Sequence, residues 1–140
     1  MHNSVRVNPL TIFLGRLLGL FTLIISVWLL AERQTTLFTI PALLVNRPAM
    51  LIFAIIALAG GLALVLAHNV WSGGVLPLLV TLIGWIMLIR GVLFLFLPPE
   101  ATLGILAAMQ FERFFYVYLA IPFVLGIYLT FISFAPPPED

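Results

Sequence analysis

The chain contains no cysteine and no lysine, and only 8% of its 140 residues are charged. Without cysteine there are no disulfides, thiolate nucleophiles, iron-sulfur clusters or Cys-containing zinc sites. Without lysine, and with six arginines set against five acids, the positive field expected of a nucleic-acid binder is missing. Charge is too scarce to wet a soluble surface, since soluble domains carry about a quarter of their residues charged. What fills the chain instead is apolar: 64% of the residues are hydrophobic. A chain of this length buries only about two thirds of its unfolded surface, so in water large apolar patches would remain exposed. Its solvent is therefore lipid.

A helix needs about 20 apolar residues to cross a hydrocarbon core of about 30 Å. Four segments meet that requirement, at residues 10–31, 48–67, 76–97 and 114–134. They must be helices, because open strands leave backbone groups unpaired in lipid and four strands cannot close a barrel. The expected fold is all-α: a polytopic membrane protein forming a single transmembrane domain over residues 1–140, with four transmembrane helices in a bundle. The polar stretch before the first span lacks a small-residue cleavage signature, so the first span is expected to be retained.

The second and third spans are separated only by His68-Asn69-Val70-Trp71-Ser72-Gly73-Gly74. This combination of turn formers and an amphipathic tryptophan predicts a tight interfacial hairpin. The other two connections, residues 32–47 and 98–113, are too apolar for ordinary aqueous loops. Leu103, Leu106 and Met109, with Phe111 nearby, give a helical stripe after Pro98-Pro99 and predict an interfacial helix. Leu37, Phe38, Ile40, Leu43 and Leu44 around Pro41 fit a bent interfacial or shallow re-entrant segment.

The two halves show a faint repeat: Thr36-Leu37, Ala42 and Arg47 align with Thr102-Leu103, Ala108 and Arg113, and Gly15 and Gly84 fall at similar places. Each half would be span, membrane-hugging connection, span, giving two tandem copies related by an axis along the membrane normal. Chance similarity between Leu-rich segments is the alternative. Arg33, Arg47 and Arg113 lie on the side of the long connections, with Arg90 nearer that side, against Arg6 and Arg16 on the other. The positive-inside rule then places the long connections in the cytoplasm and both termini, with the hairpin, outside.

Arg90 is the sharpest anomaly, because it lies about two turns inside the third span, where a guanidinium costs about 2.5 to 3.5 kcal/mol on insertion scales. Either it faces a cavity or partner, with Glu32 or Glu112 as counter-ion, or it snorkels to the interface. Arg16, about one and a half turns into the first span, is expected to snorkel or to reach Glu139 and Asp140. His68 has only His2 as a second histidine, so a metal site or haem ligation would have to recruit distant groups; no metal and no cofactor is expected. Its simpler role is to cap the second span together with Asn69 while Trp71 anchors the hairpin. A titrating role also stays open, since imidazole changes charge near neutral pH.

Six glycines sit in the spans at spacings that let helix backbones approach: Gly15 and Gly19, Gly60 and Gly61, Gly84 and Gly91. They imply a tight bundle, an oligomer seam, or both, and an outward seam involving Gly15, Gly19, Gly84 and Gly91 is favoured. No serine-histidine-acid set, phosphate loop or pair of facing acids is present, so no catalytic residue is expected.

The stretch from Asn46-Arg47-Pro48 to Pro98-Pro99, and above all Gly61 to Trp71 with Leu82-Ile83-Gly84-Trp85 and Arg90-Gly91, resembles a group of uncharacterised small bacterial inner-membrane proteins. The pattern of central glycines and proline-bounded spans is more remotely similar to the repeat unit of HdeD-like acid-resistance membrane proteins, which typically have six spans. The first resemblance implies a bacterial inner membrane and carries over no activity. The expectation is a non-catalytic membrane protein that acts as a partner of another membrane protein or associates with itself. The alternative is a small oligomeric channel or transporter for ions or small solutes.

Overall fold

A computed structural model of the chain describes residues 8–135. Six helices follow one another: α1 (Pro9–Ala31), α2 (Arg33–Val45), α3 (Arg47–Ala67), α4 (Val75–Phe96), α5 (Pro99–Ala108) and α6 (Phe115–Phe134). Four of them, α1, α3, α4 and α6, are long and apolar enough to span a membrane. Each starts and ends within one residue of the span expected from hydropathy. The chain is an integral membrane protein with four spans.

Local chemistry sets the boundaries. Asn8 caps α1, its side chain accepting a hydrogen bond from the Leu10 N–H at 3.0 Å, with Pro9 at the first position. Asn46 caps α3 in the same way through the Ala49 N–H at 3.1 Å, ahead of Pro48. α4 starts after Gly73 and Gly74, whose φ angles of 95° and 119° are open only to glycine at low cost. The Thr36 hydroxyl donates to the Leu29 carbonyl at 3.1 Å, satisfying an end of α1 that would otherwise lack a partner. α3 runs unbroken through Gly60-Gly61, and α6 through Pro122.

The long connections are helices, α2 with Pro41 inside it and α5 shorter, and they pack on one another at a common end of the spans. Leu43 and Leu106 are half-buried. Cysteines placed at both are expected to label poorly with membrane-impermeant maleimide from either side, since these helices have apolar faces that lipid must cover. Rapid labelling at both would show two aqueous loops.

The spans alternate in direction and form two tight antiparallel pairs, α3 along α4 and α1 along α6, with α1 and α4 meeting between them. A core of Leu14, Leu64, Leu76, Val80 and Leu129 joins the pairs. On one flank α4 and α6 separate to leave an apolar groove of about 620 Å³ lined by Val75, Leu79, Ile121, Val124 and Tyr128.

Burial exposes the internal repeat in a register the sequence alignment missed. In α3 the buried residues are Met50, Ala54, Gly61 and Leu64; in α6 they include Phe115, Leu119, Gly126 and Leu129, each 65 positions further on. The buried Thr11, Gly15, Gly19 and Ser26 of α1 correspond at the same interval to the buried Leu76, Val80, Gly84 and Gly91 of α4. Contacts follow suit: Gly61 faces the backbone of Leu88 and Gly126 that of Leu23, while Gly84 faces Leu64 and Gly19 faces Leu129. Gly84 is thus the counterpart of Gly19 rather than of Gly15. The first half is α1 to α3 and the second α4 to α6, and each tight pair takes one helix from each half.

Candidate functional site

Glycine placement comes first, because it decides which surfaces remain free. A Cβ at Gly15 would meet Leu76 and Ser133, and one at Gly19 would meet the Thr130 backbone at 2.7 Å. One at Gly84 would meet Leu64, and one at Gly91 the Leu58 nitrogen at 2.5 Å. All four glycines are buried inside the chain. An outward seam built on them is therefore ruled out. Gly15 faces both the third span, through Leu76, and α6, through Ser133, whereas Gly19 serves the seam with α6, and Gly84 and Gly91 the seam with α3. A Cβ at Gly60 would meet only the Met87 Cε, at 2.9 Å.

At the hairpin end, three helices converge on His68. The residue follows α3, and its backbone N–H continues the helix by donating to the Leu64 carbonyl at 2.7 Å. His68 is the C-cap residue of α3, as expected from sequence, while its side chain is 2% exposed and wedged between α1 and α4. Nε2 lies 2.8 Å from the Thr11 hydroxyl and Nδ1 lies 3.3 Å from that of Thr81. Both threonines are buried.

The distances assign the protons. Thr81 has one hydroxyl proton, and its oxygen lies 2.8 Å from the Val70 carbonyl and 2.9 Å from that of Pro77, so it donates to a carbonyl. It then accepts from the Val70 N–H at 3.1 Å and from His68 Nδ1–H. In the neutral ring this leaves Nε2 to accept from the Thr11 hydroxyl. Every polar group in the knot has a partner, which is what lets it exist out of water.

The hairpin outside it is organised by Asn69, whose side-chain oxygen accepts from the Trp71 indole at 2.7 Å and the Trp85 indole at 3.4 Å. Asn69 thus holds two tryptophans rather than capping a helix, and Trp71 is exposed. The counterparts of His68 and Thr81 in the repeat are Ser133 and Arg16, and they too are joined. Arg16 Nε donates to the Ser133 carbonyl at 3.0 Å, and its guanidinium lies 4.4 Å from the Phe134 ring centroid. A polar latch therefore closes each tight pair at this end. Glu139 and Asp140, the other expected partners of Arg16, lie outside the described residues.

Of the two expectations for Arg90, pairing with Glu32 or Glu112 is the one not met. It is exposed on the outer side of α4, its guanidinium 5.4 Å from the Phe94 ring centroid one turn on. No carboxylate among the described residues lies within 4.0 Å of it. Glu32 is occupied by accepting from the Thr35 hydroxyl at 3.2 Å, and Glu112 lines a cavity elsewhere. The pairing with an acid fails because depth in the membrane does not fix which way a residue faces around the helix. Gly91, its neighbour, takes the inward position.

That cavity is the second polar centre. It lies between α2 and α5, has a volume of about 1090 Å³ and is lined by Arg33, Arg113, Glu112, Gln34 and Gln110 above Leu37, Phe38, Leu103 and Leu106. Gln110 adopts φ 49°, outside the usual range for a residue with a side chain, and Arg113 donates to its side-chain oxygen at 3.5 Å. Nearby, the Tyr118 hydroxyl donates to the Met109 carbonyl at 2.8 Å and so pins the turn into α6. The Arg33 guanidinium lies over the Phe115 and Tyr116 rings, 5.4 and 5.8 Å from their centroids. Its Nε is enclosed and has no hydrogen-bond partner.

Among the described residues no three histidine, aspartate or glutamate side chains gather at one point. Thr11, Thr81 and Arg33 were not singled out by sequence reading. The signal available for the threonines was their place at the same membrane end as His68. No family model matches this chain, no curated protein matches it, and no solved structure matches it.

Proposed function

We propose that this four-span protein is a non-catalytic component of a membrane assembly, working by contact with another membrane protein or with further copies of itself. The observation that carries this reading is Arg90. It sits six residues before the end of α4, roughly 9 Å deep at 1.5 Å per residue, and faces away from its own chain. Phe94 offsets part of the cost of a guanidinium there, on the order of 1 kcal/mol for such a contact, against about 2.5 to 3.5 kcal/mol on insertion scales. A neighbouring membrane helix that offers an acid or a carbonyl supplies the remainder. Resemblance favours a bacterial inner membrane, and the arginine distribution a cytoplasmic α2 and α5.

Ile86 and Leu93 flank Arg90 on the exposed side of α4. A photo-crosslinking amino acid at either position, activated in native membranes, is expected to give a discrete protein adduct, reduced severalfold by Arg90→Leu. The same probe at the exposed Phe131 on α6 should give mostly lipid adducts. Lipid adducts alone at Ile86 and Leu93 would remove the proposal. The adduct's mass separates a second copy from a different protein.

A further inference from the structure

We infer that the cavity between α2 and α5 is a binding site for one anionic glycerophospholipid, held by its phosphodiester. The inference does not depend on the assembly role proposed above. Its first support is position. α2 follows α1 after one residue and α5 follows α4 after two, so the cavity lies where the spans leave the hydrocarbon, at the depth of the headgroups. Its second support is the lining, which brings charged and amide side chains together with apolar ones and so suits a molecule with a charged head and a hydrocarbon body. A volume of about 1090 Å³ is far too large for a lone ion and suits the headgroup and first acyl carbons of a lipid.

Charge selects the headgroup. Arg33 and Arg113 both line the cavity, and neither has a carboxylate within 4.0 Å among the described residues. The Arg33 side chain is half-buried with its Nε enclosed, so the guanidinium is partly withdrawn from water where it lines the cavity. Guanidinium groups match phosphate oxygens two at a time. Glu112 is the one carboxylate in the lining, so two arginines and one glutamate leave a single net positive charge. A phosphodiester carries one negative charge and balances it. A phosphomonoester with its second charge overshoots that balance, and a zwitterionic headgroup, neutral overall, leaves the positive charge uncompensated.

The test uses the full chain in nanodiscs made of equal parts phosphatidylglycerol and phosphatidylcholine, followed by transfer to mild detergent and native mass spectrometry. The wild type is expected to retain one phosphatidylglycerol, preferred roughly tenfold over phosphatidylcholine, the ratio that one charge-assisted hydrogen bond supplies. Arg33→Gln with Arg113→Gln should bring the preference close to unity. Arg90→Gln removes a charge at the same end without touching the cavity and should leave the preference intact. Leu106→Trp fills the apolar part and keeps both arginines, so it should lose the bound lipid. That variant decides the matter if the double arginine variant folds poorly by circular dichroism.

Equal retention of both lipids by the wild type would overturn the inference. So would an equal loss in Arg90→Gln, which would point to diffuse attraction. Displacement of the lipid by excess glycerol 3-phosphate would show a site for a soluble phosphate and would overturn the assignment to lipid.

Discussion

Alanine at Gly61 is expected to loosen α3 from α4 and to lower the stability of the whole bundle by about 1 to 3 kcal/mol, the usual cost of forcing extra atoms into a closed contact. In lipid the apolar effect that drives soluble helices together is absent, because the tails are as apolar as leucine. What holds two spans is close approach of their backbones, and here that approach depends on the missing side chain. An added Cβ at Gly61 falls against the backbone nitrogen of Leu88, and one at Gly91 lies 2.5 Å from the nitrogen of Leu58 and 2.7 Å from its Cα. Backbone atoms in a helix cannot step aside, so the pair must separate along its length. Gly60→Ala supplies the internal comparison. Its Cβ would meet only the flexible end of Met87, and the expected cost is within about 0.5 kcal/mol. Unfolding measured in bicelles by steric trapping separates the cases. Equal stability of Gly61→Ala and Gly60→Ala would show that the α3–α4 contact contributes little.

The second large effect is expected at Thr81. Valine there has nearly the same shape but removes the one oxygen that accepts from the Val70 N–H and from His68 Nδ1 and also donates to a carbonyl. A buried group left without a partner costs about 1 to 3 kcal/mol, and Thr81→Val strands several at once. The expected loss is about 2 kcal/mol, held down because interhelical hydrogen bonds in membranes have unfolded-state partners too. Thr81→Ser keeps the hydroxyl and should recover most of it. If serine and valine destabilise equally, packing rather than hydrogen bonding governs this position. A cycle with Thr11→Val should show coupling of roughly 0.5 to 1 kcal/mol through the shared imidazole, although the two threonines belong to different helices.

Span positions were legible in the sequence because crossing a membrane demands only length and apolarity, and both are written in consecutive residues. Which way each helix turns was not. In water the inner face of a helix is apolar and the outer face polar, whereas here Ile24, Ile55, Ile86 and Phe131 face outward and Leu14, Leu64 and Leu129 inward with the same chemistry. Arg90 was assigned a counter-ion and the four glycines an external seam on that account. Small residues and threonines carry the orientation instead: Thr11, Gly19, Gly61, Thr81 and Gly126 all point to the interior. Among them the glycines recur at the 65-residue interval, Gly19 with Gly84 and Gly61 with Gly126, and give the repeat its register. The cavity between α2 and α5 was only half visible, as two apolar connections at the same end. Their approach to one another depends on the paired spans beneath.

Because each tight pair borrows one helix from each half, the order of synthesis matters. α3 and α4 are joined by a short turn and can zip together as soon as both are in the bilayer. α1 is made before the other three spans yet has to wait for α6, the fourth of them. At about 5 to 20 residues per second this leaves α1 without its permanent neighbour for some seconds. During that interval the face of α1 that carries Gly19 and Leu23, covered by α6 in the finished bundle, lies open to the bilayer. A bundle whose first span waits on its fourth closes only when both are in the membrane.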